Sequence, residues 1–238
     1  MRFRANSSTY KQPRKMQQYQ GSRLERYQYE KLPDEGRNHI RIATLQPGTA
    51  GDAIQVIMRF ERFDMNQKPD YEALSYAWGP PEADMAQIMI GHREPDSDKP
   101  LIRREYLGVR SNLLSALQQL RLKIKPRDVW IDALCIGQTD DIHKGTQVAM
   151  MGEIFGHASQ VIIWLGPGSH ESEHALGLIQ DLGTQVDADW ITGECKASSD
   201  APNQDITILP NPSAPFTTNE VQTLEHLLRR EWFGRLWV

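Results

Sequence analysis

Cysteine is scarce in this chain of 238 residues. The two that occur, Cys135 and Cys195, stand far apart, which gives neither a disulfide framework nor a paired metal knuckle and fits a reducing compartment. Long apolar runs are missing as well. No stretch approaches the roughly 18–20 apolar residues of a membrane span, and the opening MRFRANSSTYKQPRKMQQYQ has no apolar core that would make it a secretory leader. A cytoplasmic protein is therefore expected. Apolar residues reach only 39% and the mean hydropathy is −0.56, so part of the chain is expected to lie outside any core. The G-x-G-x-x-G, P-loop and G-x-S-x-G fingerprints are absent, which leaves dinucleotide, ATP and α/β-hydrolase readings without their motifs.

Acid and base are present but unevenly placed. The net charge is −4, yet residues 1–23 hold six Lys/Arg and no acid. The remaining body is acidic, which argues against a specific grip on a nucleic-acid backbone. Residues 1–36, rich in Gln, Tyr and Arg, lack apolar periodicity and read as a disordered basic tail. The chain from 38 to 238 reads as one domain.

Within that domain, Ile40, Ile42 and Leu45, then Ile54, Val56, Met58 and Phe60, alternate as in half-buried strands, with Pro47-Gly48 between them. This pair is expected to be antiparallel and at a sheet edge. YEALSYAW (71–78) and AQIMIG (86–91) read as further strands, and a polar loop with Pro95 and Pro100 follows. Ser111 or Asn112 would cap a helix whose Leu113, Ala116, Leu117 and Leu120 share one face. The apolar runs VWIDALCI (129–136) and VIIWLG (161–166) suit central strands covered on both faces. Between them, Val148, Met151, Ile154, Phe155 and Ala158 make a helical stripe. A helix from about 170 to 183 follows, packing through Ala175, Leu178, Ile179 and Leu182. Residues 194–219 read as an irregular proline-rich loop. Thr217 with Glu220 forms a capping box for a last helix bearing Val221, Leu224, Leu227 and Leu228. Strands alternating with helices from residue 71 onward predict an α/β fold. Its core is a mostly parallel open sheet, with an added N-terminal antiparallel strand pair and helices on both faces.

Few residues announce chemistry. His170-Glu-Ser-Glu-His174 has the spacing of a zinc hydrolase motif, but Ser169 before it is a natural helix cap, which makes the acids first-turn residues at a helix start. No metal is expected. His143 reads as an exposed turn histidine and Cys135 as a buried, inert thiol. Asp132 is more informative. It falls near the carboxyl end of a strand, where open α/β sheets bind ligands, and a carboxylate there needs solvent, a partner or a turn to cap. Ser75, Trp78 and Gly79 end a strand on the same edge, where the indole could wall a ligand or pack into the core.

Four blocks carry a resemblance: YEALSYAWG (71–79), WIDALCIGQTD (130–140), QVAMMGEIFGHASQVIIWLG (147–166) and REWFGRLWV (230–238). In order and spacing they resemble the fungal heterokaryon-incompatibility (HET) domain. The motif positions are Tyr71, Leu74, Trp130, Cys135, Asp140, Gln147, Trp164, Trp232, Arg235 and Trp237. The resemblance implies an effector of nonself recognition and programmed cell death, with a second copy or a nucleotide-binding sensor protein as partner. HET domains are in turn distantly similar to Toll/interleukin-receptor (TIR) domains, some of which cleave NAD, and this similarity implies a flavodoxin-like, TIR-like parallel sheet. That implies Ser75, Trp78, Gly79, Asp132 and Gln138 as ligand-binding residues and NAD as substrate, with no cofactor required. An assembly that kills without catalysis is the alternative. The sequence departs from the family pattern at Gly137, usually Asn, and at His143-Lys144, usually Glu-Arg. The Gln-Glu that usually follows the last block, with the glutamate expected to be catalytic, would fall beyond Val238, so a truncated and inactive member is a further expectation.

Overall fold

Alternation of apolar and polar residues creates the strands, and long-range pairing decides where each one sits. The computed structural model describes residues 25–36, 38–64, 66, 70–80, 82–92, 101–189, 191–199 and 217–235. They divide into two units, one ending at Gly166 and one beginning at Pro167.

The first unit contains β1 (Glu25–Arg26), a 3-10 helix (Pro33–Gly36), β2 (His39–Leu45), β3 (Gln55–Arg62), β4 (Glu72–Tyr76), β5 (Met85–His92) and β6 (Leu101–Arg110). It continues through α1 (Ser111–Leu120), β7 (Arg127–Trp130), α2 (Asp132–Cys135), α3 (Asp141–Ala149), α4 (Met151–His157) and β8 (Gln160–Trp164). The strands form one mixed sheet in the order β1-β6-β5-β3-β2-β7-β4-β8. Pairs β1/β6, β3/β5, β4/β7 and β4/β8 are parallel, whereas β2/β3, β2/β7 and β5/β6 are antiparallel. The α/β class, the mixed but mostly parallel sheet and the antiparallel N-terminal pair agree with expectation.

Their placement does not. The pair β2/β3 sits in the middle of the sheet, because β5, β6 and β1 extend it on one side and β7, β4 and β8 on the other. Every residue of β2 from Ile40 to Ala43 is buried, and successive side chains point to opposite faces, so both faces are covered. Conversely β8, expected at the centre, is a terminal strand among the described residues, and its side chains are at best half-buried. The segment 101–110, which follows the expected polar loop, is the ten-residue strand β6. The run 129–136 is a short strand followed by a one-turn helix rather than one long strand. Residues 25–36, within the expected tail, pair β1 with β6 and bury Tyr27 and Leu32. Residues 1–24 lie outside the described residues.

Helix α1 buries the expected face, Leu113, Ala116, Leu117 and Leu120. Its N-cap is Arg110, without a side-chain cap, rather than Ser111 or Asn112. The stripe 148–158 is split between α3 and α4 at Met150, with Ile154 and Ala158 buried and Val148 exposed. The side chain of His143, on α3, lies outside the described residues.

The second unit contains α5 (His170–Gln185), an antiparallel hairpin of β9 (Val186–Ala188) and β10 (Cys195–Ala197), α6 (Thr218–Leu228) and a 3-10 helix (Glu231–Gly234). Both helix starts follow the sequence signals. Ser169 Oγ accepts the Ser172 N–H at 3.2 Å while Ser172 Oγ accepts the Ser169 N–H at 2.8 Å. Thr217 and Glu220 form the second reciprocal cap. His170 and His174 are exposed on α5. The buried face of α6 runs through Thr223 and Leu227, one turn apart, so Val221 and Leu228 are exposed rather than packed as expected. On α5, Ala175 is buried and Leu178, Ile179 and Leu182 are half-buried. The expected loop 194–219 holds β10 and the start of α6; residues 200–216 and 236–238, with Trp237 and Val238, lie outside the described residues.

Candidate functional site

Three parallel strands end together in the first unit. In the order β7-β4-β8 the first strand of the trio lies between the second and the third, the arrangement in which open α/β sheets place a ligand crevice at the carboxyl ends. Trp78 and Gly79 follow β4, Asp132 follows β7, and Trp164 ends β8. Gly79 has a φ of +76°, a left-handed conformation that turns the chain sharply and favours a residue without Cβ.

Asp132 opens α2 and is only 8% exposed. One carboxylate oxygen accepts the indole N–H of Trp78 at 2.9 Å, and the other accepts the backbone N–H of Ala133 at 2.7 Å. Both hydrogen bonds fix the orientation of the carboxyl group. Trp78 is half-buried and packs against the core, so its ring serves packing and its edge serves the acid. Ser75 is buried on β4. Gln138 lies behind the turn, its amide donating to the carbonyls of Ile136 at 3.1 Å and Asp132 at 3.4 Å. Trp78, Gly79, Asp132 and Gln138 are thus brought together, with Gln138 bracing the turn.

Two residues that the sequence did not mark for the site complete the edge. Arg110, at the β6/α1 junction, donates to the Gly79 carbonyl at 2.6 Å, and its guanidinium lies 5.6 Å from the centre of the Trp78 ring. Asn112 donates to the Ala77 carbonyl at 2.5 Å and accepts the Trp164 indole N–H at 2.9 Å, tying the ends of β4 and β8 together. Only their position, at the start of an amphipathic helix, hinted at this.

The other motif positions are architectural. Tyr71 is buried, donates to the Ile154 carbonyl at 2.7 Å, and thereby seats α4 at the start of β4. Leu74 and Trp130 are core residues, with Trp130 packed edge-on to Phe155. Gln147 is buried and donates to the His39 carbonyl at 3.0 Å. Burial pushes the Cys135 thiol up to about 12, which leaves it protonated and unreactive at neutral pH. Asp140 is exposed, and its carbonyl receives the Lys144 N–H at the start of α3. Trp232, edge-on to Phe233, and Arg235 belong to the second unit.

A strap from the N-terminal segment supports the turn that carries Asp132. Tyr29 donates to the Ala133 carbonyl at 3.4 Å, and its ring lies beside Gly137, where a Cβ would meet Tyr29 Cγ at 3.5 Å. Arg41, buried in β2, donates to the Cys135 carbonyl at 3.1 Å and to the Glu30 carbonyl, with its guanidinium 5.2 Å from the Tyr29 ring. Burial lowers the pKa of this guanidinium and raises those of the Tyr27 and Tyr29 hydroxyls. No group of metal-ligating side chains occurs among the described residues, and no described helix is long and apolar enough to cross a membrane.

The model of the heterokaryon incompatibility protein family (HET) matches residues 71–238. Among curated proteins, heterokaryon incompatibility protein 6, OR allele, of Neurospora crassa is 25% identical over 212 residues, covering 84% of this chain and 31% of the relative. The chain thus spans about a third of that relative's length. No solved structure matches.

Proposed function

The chain belongs to the heterokaryon incompatibility (HET) family, and from that premise we propose that it is an effector domain of fungal nonself recognition. In this reading it acts in the cytoplasm, halting growth or killing the cell when unlike hyphae fuse. Its chemistry is the cleavage of NAD in the crevice at the carboxyl ends of β4, β7 and β8. The supporting observation is the Asp132 carboxylate, nearly buried and already oriented by Trp78 and Ala133.

The reaction calls for such a group. When the bond between nicotinamide and ribose breaks, its electron pair leaves with the nicotinamide, which becomes neutral. Positive charge then spreads over the ribose ring until water adds its oxygen and releases a proton. A fixed carboxylate stabilises that charge without reorganising at the moment it forms. NAD is the substrate here and no resident cofactor is needed.

Incubation with NAD tests the reading. Nicotinamide release is expected from a version of the chain extended through the Gln-Glu, and Asp132→Asn in that version should reduce it by about 100-fold or more while leaving the thermal melt near that of the parent. A second reading, killing by assembly with a further copy or with a nucleotide-binding sensor protein, is favoured by the exposure of Val221, Leu228 and Phe233 in the second unit. Under that reading Asp132→Asn spares killing and disruption of α6 abolishes it. Cell death by the parent protein without nicotinamide release would remove the enzymatic reading.

A further inference from the structure

Arg110 differs from Arg59 and Arg127, two other half-buried arginines of the sheet unit, and is like Arg121 in donating to backbone carbonyls without an ion pair. Arg59 pairs with Glu61 and Asp128, and Arg127 pairs with Glu72. Arg110 is in none of the ion pairs among the described residues. It sits instead on the face of the indole whose edge holds Asp132. One tryptophan therefore carries a cation on its face and an anion on its N–H, both at the carboxyl ends of the parallel strands. The Arg110 bond to Gly79 uses Nη1 alone. Its Nε and Nη2 hydrogens form the parallel fork that matches two oxygens of a phosphate.

Resting on the nucleotide reading above, we infer that Arg110 is the phosphate-binding residue of the site, taking one phosphate of a nucleoside diphosphate through its Nε–Nη2 fork. Asp132 then faces the ribose whose bond is broken. Trp78 sets the separation between the two charges, which selects ligands carrying a phosphate at a fixed distance from that ribose. An aromatic face and one carbonyl are weaker partners for Arg110 than a carboxylate, and it can exchange them for a full anion. A lysine at this place would supply charge but no fork.

Calorimetric titration with two probes tests the assignment. ADP-ribose carries the diphosphate and lacks the scissile bond, whereas nicotinamide riboside carries the ribose and no phosphate. Arg110→Ala should weaken ADP-ribose binding by about 10- to 100-fold and leave nicotinamide riboside binding within about twofold. Arg110→Lys should recover part of the ADP-ribose affinity, and it carries the test should the alanine variant fail to fold. Equal losses for both probes would mean that Arg110 only braces the Gly79 turn, and unchanged ADP-ribose binding in either variant, or none by the parent, overturns the assignment. ADP-ribose binding that depends on Arg110, without NAD cleavage, keeps the phosphate site and removes only the cleavage reading.

Discussion

The two units of this protein are held together by different means. In the sheet unit, β2 and β4 are buried at almost every position, and their partners come from distant parts of the sequence. In the unit that begins at Pro167, the residues buried among those described are Ser172, Ala175, Thr223 and Leu227, half of them polar. Its helices instead begin at reciprocal caps between residues three apart. Long-range packing makes the first unit a rigid platform for an oriented acid, whereas local hydrogen bonds make the second sensitive to single polar substitutions.

The largest expected effect comes from opening the core of the sheet unit. Leu117→Ala removes a fully buried side chain from the inner face of α1 and should destabilise that unit by about 2–5 kcal/mol in urea unfolding. A cost under about 1 kcal/mol would place the packing elsewhere. Next comes Thr217→Ala, which removes one half of the α6 cap and should cost about 1 kcal/mol. The loss should appear as faster amide exchange in the first turn of α6, with the amides of β2 and β4 unchanged. The smallest effect is a dependence on pH. Hydrogen bonds from the Thr217 N–H and hydroxyl hold the Glu220 carboxyl below its ordinary value of 4.5, so the cap is complete above that value and is lost as pH falls through the depressed one. Protection of the amides at the start of α6, taken relative to the intrinsic exchange rate at each pH, should therefore fall in mild acid while the sheet stays protected, and Glu220→Gln should remove that pH dependence.

The same contrast decides what was legible in the sequence. Caps are local, so Ser169 and Thr217 announced their helices directly. Alternation gave β2 and β3 their strand character but not their place, because that depends on which distant strands flank them. Arg41 occupies the polar phase of the Ile40-Arg41-Ile42 alternation and reads as solvent-facing, yet it is 2% exposed because the Tyr27–Leu32 strap covers it. That strap was hidden by its polar neighbours, and its cue was the spacing of Tyr27 and Tyr29 before Leu32. Strand β6 was hidden by Arg103-Arg104-Glu105, which breaks any apolar pattern. In the site, the blocks around Trp78 and Asp132 were visible, since strand ends carry few tryptophans and acids without reason. Arg110 and Asn112 were not, because their role comes from carbonyls more than thirty residues away.

The central place of β2 and β3 separates two ways of bounding this domain. The family match starts at Tyr71, but a fragment cut there would lose β2 and β3, which among the described residues join β5 to β7. What remained would be two ribbons, β5 with β6 and β7 with β4 and β8, each offering an open edge to any other chain. A portable version of this domain, for transfer into a chimeric protein, must therefore start before Glu25 and keep both the strap and the middle of the sheet. The segment ahead of Tyr71 is thus part of the folding unit, although the family model does not reach it.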